Sequence, residues 1–307
     1  MDPAKSEISI ETGLPVHNVI QVRCQPGGAG TIVNNLTALG VGAIYPLGFA
    51  GNDGEGFELQ RTLGARKGVK LDYFLASADR QTFTYSKPLV IHAKKPPEEL
   101  SRLDIKNWTP TPKALQQQLA RAVRKLASQV DAMILLDQVD LPETGVVTRQ
   151  VLEAVDGITR KKPKLFILAD SRRGLRDFPK VCFKMNRAEF TALSGAGRDL
   201  ATKKLGKAVL ELARAHGRPV FVTVAEEGIL GASPRGEVEH EPAFPVRGPI
   251  DIVGAGDAVT ANLTAALTTG ASVKEAIQLA NAAASIVVHQ LGTTGTASVK
   301  QIRNLVT

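Results

Sequence analysis

The 307-residue sequence predicts a three-layer α/β/α fold with a mainly parallel sheet and a small β-sheet lid. Three observations carry that reading. Short apolar runs of strand length alternate with segments whose apolar residues recur every three or four positions, the mark of parallel strands joined by crossover helices. The last quarter of the chain is mostly helical in pattern. Two segments, within residues 7–25 and 80–104, mix β-branched with polar residues and break the alternation, as antiparallel strands outside the main sheet would.

The elements follow in chain order. Glu7–Gln25 supplies the first lid strands. Pro26–Gly40 is a glycine turn running into an amphipathic helix, followed by a strand at "AIYPLGF", Ala43–Phe49. Arg80–Arg102 returns to the lid with "TFTYSKPLVIH" and a proline turn at "KKPPEEL". From there strands and helices alternate. Helices are expected at Pro112–Val130, Glu143–Gly157 and Ala201–His216. Strands are expected at "DAMILLDQ" (Asp131–Gln138), "KLFILAD" (Lys164–Asp170) and "PVFVTVA" (Pro219–Ala225). These runs are apolar on successive residues, which suits strands buried on both faces. Asp257–Leu267 and Ser272–His289 read as closing helices, with Ser272 as an N-cap. No repeat or long polar linker divides the chain, so residues 1–307 are read as one domain.

Composition narrows the function. Apolar residues make up 43% of the chain, ample for a core, and charged residues 22%, unlike a disordered chain. No stretch approaches the ~18 consecutive apolar residues of a membrane span, and no membrane partner is expected. Two cysteines, Cys24 and Cys182, lie far apart without metal-ligand spacing, so a disulfide framework is not expected and a reducing cytoplasm is the expected compartment. The net charge of +8 suits anionic ligands. The densest basic run, "TRKKPK" at Thr159–Lys164, joins a helical pattern to a strand and has no aromatic interleaving. It reads as a solvated connector, and no nucleic acid is expected as partner.

One acid is out of place. In "DIVGAGDAVTANLTAAL", Asp251–Leu267, Asp257 stands at the entry of an apolar, alanine-rich helix. A glycine turn entering a helix exposes unpaired N–H groups at the positive end of the helix dipole, which is an anion site. Gly254, Ala255 and Gly256 have little side chain to block approach. A carboxylate beside a bound phosphate has a task if it takes a proton from an attacking hydroxyl. The alternative is a tight turn for close helix packing, with Asp257 as a cap. A dinucleotide fingerprint would need glycine where Val259 stands, and no P-loop string occurs.

A second glycine cluster stands in "PGGAGTIVNNLTALG" (Pro26–Gly40), followed by "GFAGNDGEG" (Gly48–Gly56). Together with "DIVGAGDAVTANL", these resemble the two signatures of the ribokinase-like (PfkB) carbohydrate kinases, in the right order and over nearly the whole chain. The resemblance implies a ribokinase-like fold and transfer of the γ-phosphoryl group of ATP to a sugar hydroxyl. It implies Asp257 as catalytic base and the amides of Gly254, Ala255 and Gly256 as anion hole. "NRAE" is similar to the family's Asn-x-x-Glu motif, implying that Asn186 and Glu189 place Mg²⁺ and phosphate; the alternative is a helix start with Asn186 as N-cap. Thr223 and Gly228 are implied near ATP, Asn281 and Ala284 near the adenine, and Gly27, Gly28, Asn35 and Asp53 on the sugar side. A monovalent cation, K⁺, is implied at the carbonyls of Asp251–Val253 and of Ser285–Thr294. Pairing of two subunits through the lid is implied as well.

Within the family, "PGGAG…NNLTALG", "TFTYSKPL" and "ELSRLD" most resemble the heptose 7-phosphate kinases, which makes Arg102 a candidate contact for an anionic sugar; the alternative is a surface strand charge. The chain also departs from that group. Thr31 stands where the group has a second asparagine. "DQVDLPETG", Asp137–Gly145, lacks the group's lysine, and "DSR", Asp170–Arg172, replaces Asp-Pro-Lys while keeping a cation. The family's first strand, with an aspartate that holds sugar hydroxyls, has no counterpart before the lid segment. Two functions therefore stand: an ATP-dependent kinase of a heptose 7-phosphate or similar sugar phosphate, and a catalytically impaired sugar- or nucleotide-binding protein of the same fold.

Overall fold

The structure, a computed structural model, describes residues 1–92, 94–197 and 200–306. Ala93, inside the expected lid segment, lies outside the described residues. The chain opens with β1 (Glu7–Ile8) and β2 (Pro15–Val16), an isolated antiparallel pair. Residues 17–25, expected to continue the lid, carry no strand. Helix α1 (Gly28–Ala38) follows, then β3 (Gly48–Gly51), α2 (Gly54–Gly64) and β4 (Phe74–Ser77). The expected strand at Ala43–Phe49 is displaced: only Ile44 bridges, to Val69, and the paired strand starts at Gly48. Pro46 interrupts the run because it has no N–H for a ladder.

The lid is built from β5 (Thr84–Ser86), β6 (Leu89–Val90), β7 (Glu98–Glu99) and β8 (Leu103–Ile105), paired β5–β8 and β6–β7, both antiparallel. It is a set of short pairs rather than one sheet. Pro88, Pro96 and Pro97 stand where longer strands would need N–H donors. The chain start joins it: the Met1 amine donates to Leu89 O and the Ile91 N–H to Met1 O.

The expected helices and strands of the body are present, with further strands that follow one another without an intervening α-helix. It runs α3 (Lys113–Leu126), β9 (Ala132–Asp137), α4 (Arg149–Lys161), β10 (Phe166–Ser171), β11 (Cys182–Asn186), α5 (Arg187–Ser194), α6 (Thr202–His216), β12 (Val220–Thr223), β13 (Ile229–Ala232) and β14 (Val238–Glu241). Helices α7 (Ala255–Thr268), α8 (Val273–Val288) and α9 (Val299–Val306) close the chain. Helix α4 begins six residues later than expected. Glu143 sits at φ 64°, outside helical backbone, and Thr148 takes the N-cap position. The sheet order is β14-β13-β12-β11-β10-β9, parallel from β12 to β9 and antiparallel at β13 and β14. Among the described residues β9 is the last strand of this sheet, and β3–β4 form a separate parallel pair.

The period of two along the central strands sorts their side chains between two helical layers. Ile167, Ala169, Phe183 and Met185 face one way and pack with Leu119 and Val123 of α3, Val151 and Val155 of α4, and Val209 of α6. Leu168, Cys182 and Phe221 face the other way, against Val259 and Leu263 of α7 and Ile277 of α8. Alanines at the α7–α8 contact, among them Ala258, Ala276, Ala280 and Ala283, are fully buried and let the helices approach closely. The same alternation sends Asp170 and Lys184, one step beyond Ala169 and Phe183, toward the α7 side. A buried acid and a buried base thus lie beneath the helix that starts at Gly254.

Candidate active site

A cavity of about 230 Å³ lies at the carboxyl ends of β9, β10 and β11, lined by Gln138, Asp170, Arg172, Lys184, Asn186, Glu189, Gly256 and Asp257. Such a crevice is where ligands bind in open α/β sheets. The N-terminus of α7 closes one side. Gly254, its N-cap, has φ +87°, a left-handed conformation that disfavours side chains, and a Cβ there would also press on Thr294 at 3.2 Å. The turn frees N–H groups, though not all those expected. The Ala255 N–H bonds back to Ile252 O at 3.2 Å, while those of Gly254, Gly256 and Asp257 have no backbone partner among the described residues. Gly254, Gly256 and Asp257 thus leave their N–H groups open at the turn, and Ala255 shapes it.

Asp257 is largely buried and makes no hydrogen bond through its carboxylate among the described residues. Burial pushes its pKa up to about 7; Lys184 pulls it down, Asp170 pushes it up and Arg172 pulls it down. A carboxyl poised there exchanges a proton near neutral pH. Gly28, the first residue of α1, faces it: a Cβ at Gly28 would stand 3.2 Å from Leu136 Cδ2 and 3.6 Å from Asp257 Oδ1. Glycine there leaves a path to the carboxylate from the α1 side.

Asn186 and Glu189 both line the cavity, and they also form a complete capping box at the start of α5. The Asn186 side chain accepts from Glu189 N at 2.9 Å, and Glu189 Oε2 accepts from Asn186 N at 2.8 Å. The two readings of this motif thus coexist. Burial raises the Glu189 pKa, and the Asn186 N–H offsets this only in part. Among the described residues no three His, Cys, Asp or Glu side chains converge as a metal cluster. A Glu and an Asn that supply only one or two ligands suit Mg²⁺, which keeps waters and phosphate oxygens as its other ligands. Thr223 pairs in register with Asn186, so it ends on the same rim. Gly228, at φ +93°, is a steric necessity: a Cβ would lie 2.0 Å from Glu241 O.

Other expected residues are placed elsewhere or are occupied. Gly27 is the N-cap of α1. Asn35 is fully buried and its amide is spent inside the fold, donating to Thr31 O and Gly295 O and accepting from Ala297 N. It ties α1 to the chain after α8. Asp53 caps α2 through Gly56 N and accepts from Thr82 N and Oγ1. Burial pushes its pKa up, but the Thr82 and Gly56 bonds outweigh this and leave it below the usual range. It borders a separate cavity with Asn52, Arg80 and Gln81. Arg102 lies on the lid, away from the Asp257 cavity. It pairs with Asp104 at 2.6 and 2.8 Å and stacks over Tyr85 at 4.4 Å. Asn281 donates to Pro242 O, and Ala284 packs on the α7–α8 core. The Asp251 carboxylate accepts from Val253 N and Gly292 N, joining the two segments expected at a monovalent cation.

The residue that sequence reasoning missed is Lys184. Its Nζ lies 2.8 Å from Asp170 Oδ2, which also accepts from Thr260 Oγ1 of α7 at 3.0 Å. A signal existed: a lone lysine in the strand-length run "VCFKMN", in phase with Cys182 and so directed at the α7 side.

The chain is similar to known proteins. The pattern of the pfkB family carbohydrate kinases matches residues 101–300. The chain is 29% identical over 301 residues to the bifunctional protein HldE of Bradyrhizobium sp. (strain ORS 278), covering 98% of this chain and 59% of that protein. It is 30% identical over 292 residues to the HldE of Nitrobacter hamburgensis, covering 94% and 57%. The chain thus spans under three fifths of the length of these curated relatives. Among solved structures, Arabidopsis thaliana ribokinase complexed with ribose and ATP superposes with a TM-score of 0.69 at 20% identity, covering 94% of this chain and 90% of that one. A putative phosphofructokinase from Staphylococcus aureus gives 0.72 at 17% identity, covering 97% and 90%. At these identities the likeness is one of fold, and the fold is ribokinase-like.

Proposed function

Because the chain belongs to the pfkB family of carbohydrate kinases, we propose that its Asp257 cavity transfers the γ-phosphoryl group of ATP to a hydroxyl of a sugar phosphate, of the heptose 7-phosphate class. The observation that carries this reading is the buried Asp257 carboxyl, poised near neutral pH beside open N–H groups of the α7 turn. Asp257 accepts the proton of the attacking hydroxyl. Gly28 leaves room for the sugar on one side of it, and the Gly254, Gly256 and Asp257 amides meet the charge on the transferring group. Glu189 and Asn186 would hold Mg²⁺ through water, and the ion would neutralise phosphate charge when bound. Carbonyls of Asp251–Val253 and of Ser285–Thr294 would hold K⁺. The acceptor's own phosphate is matched by Arg172, whose side chain is half exposed at the cavity and engaged loosely, at 3.2 Å to Gln138 and 3.6 Å to Asp140.

No helix among the described residues is long and apolar enough to cross a membrane. Ile8, Ile10, Leu14 and Leu103 are exposed on the N-terminal arm and the lid. Pairing of two copies there would cover them.

The test is ADP release from a panel of phosphorylated and neutral sugars with Mg²⁺ and K⁺ present. Turnover with phosphorylated sugars, its loss in excess chelator, and slower rates when a bulky organic cation replaces K⁺ are expected. Turnover with neutral sugars alone would overturn the acceptor class. One observation favours the second reading, an impaired binding protein: among the described residues β9 is the last strand of the main sheet, so no strand beyond it brings a further carboxylate to hold sugar hydroxyls. Sugar and ATP binding without turnover would support it.

A further inference from the structure

We infer that Lys184 is a catalytic residue that contacts the transferring phosphoryl group directly, and that Asp170 is the positioning residue that holds it off Asp257. The inference rests on the phosphoryl-transfer reading and adds a side-chain cation to a site otherwise read as backbone amides.

Placement is the first argument. Lys184 projects from the middle of a central strand into the α7 layer, and its side chain is only 7% exposed. It nevertheless lines the cavity with Asp257 and Gly256. A Cβ added to Gly256 would stand 3.1 Å from Nζ, so the ammonium lies against the middle of the glycine turn. An anion drawn to the Gly256 N–H also meets the lysine charge.

Unused hydrogen-bonding capacity is the second. An ammonium has three donors. Among the described residues Nζ has one hydrogen-bond partner, Asp170 Oδ2. A buried cation with donors to spare is costly unless a ligand takes them. A buried ion pair is also a poor source of stability, since hydrophobic residues of similar volume do as well or better. Stability alone does not explain why the pair is there.

Asp170 supplies the third. Asp257 is the other carboxylate beside the lysine, close enough for Lys184 to act on its ionisation. A direct Lys184–Asp257 bridge would occupy the proton acceptor. Asp170 is fixed from both layers, by the lysine on β11 and by Thr260 on α7, and takes the lysine instead. Asp257 is left with its carboxylate unbonded. In the step itself, the sugar oxygen forms a bond to the γ-phosphorus and its proton passes to Asp257. The bond from the γ-phosphorus to the bridging oxygen breaks, and its electron pair leaves with ADP. Lys184 donates to a γ-phosphoryl oxygen throughout.

The inference separates ATP from ADP, because only ATP carries the group that Lys184 touches. Calorimetric titration of the full chain with ADP and with a non-hydrolysable ATP analogue tests it. Wild type should bind the analogue more tightly than Lys184→Gln does, by about tenfold, one lost charge-assisted bond. ADP affinity should agree within about twofold between the two proteins. Turnover of Lys184→Gln should fall about 10²–10³-fold, as for loss of an oxyanion donor. Should that variant not fold, Lys184→Met with Asp170→Asn leaves no stranded charge and is expected to show the same loss of preference. An unchanged analogue-to-ADP ratio with unchanged turnover overturns the role of Lys184 and leaves the kinase reading intact. Wild type that binds neither nucleotide overturns both.

Discussion

Replacing Asp257 by asparagine should make the protein more stable and less active, with the stability gain dependent on pH. Burial holds the folded carboxyl up to about 7. An unfolded aspartate titrates near ~3.9. Below that value the group is protonated in both states and costs nothing. Between the two values the unfolded chain ionises while the folded chain keeps its proton, so stability falls as pH rises. Above about 7 the loss is complete. The gap of about three pH units corresponds to about 4 kcal/mol, an upper bound because the site relaxes and admits water on ionising. Asparagine is neutral throughout. Half of that bound would raise Tm by about 3 °C at pH 8, against little change at pH 4. Scanning calorimetry of wild type and Asp257→Asn at both pH values, without ligands, reads the difference. Turnover of the variant should fall by ~10²–10⁴. An offset equal at both pH values, or a variant less stable at pH 8, would refute the reasoning.

Three other outcomes are expected. Asp170→Asn removes a charge that pushes the Asp257 pKa up, so the acid limb of the kcat/KM profile should move to lower pH; a limb that stays put or rises contradicts the coupling. Gly28→Ala places a methyl 3.6 Å from Asp257 Oδ1 and 3.2 Å from Leu136. Sugar KM should rise about tenfold, or about 1.4 kcal/mol, with ATP affinity unchanged; equal effects on both ligands would move the sugar elsewhere. Light scattering at micromolar concentration should give a dimer that Ile10→Asp and Leu103→Asp weaken, and a monomeric wild type would remove the lid pairing.

The glycine turn and its acid were legible because each feature is local. Gly254 needs a left-handed φ, helix α7 must start there, and its first turn must bear Asp257. The central strands at β9, β10 and β12 were legible because both faces are covered, so their apolar runs are continuous. What escaped depends on partners far away in sequence. Asn35 looked like a ligand residue, but its amide is consumed by Gly295 and Ala297, about 260 positions on. Asp53 was expected on the sugar side, but Thr82 and Gly56 take its oxygens. Arg102 is an exception, since the partner that pairs with it, Asp104, stands only two residues later. Lys184 was hidden because its meaning depends on Asp170 in the neighbouring strand and on Gly256 above. The β11 strand that carries it has the lysine inside its apolar run, so the run is not continuous as those of β9, β10 and β12 are.

The most direct test of the central claim follows the phosphorus. Wild type and Asp257→Asn, at equal concentration and each shown to bind ATP, are given ATP labelled at the γ position with Mg²⁺ and a heptose 7-phosphate. The account predicts label in a doubly phosphorylated sugar with wild type, one labelled phosphoryl per ADP formed, and a loss of ~10²–10⁴ in that rate with the variant. Label appearing only as inorganic phosphate, or reaching the sugar equally fast without the Asp257 carboxylate, would contradict it.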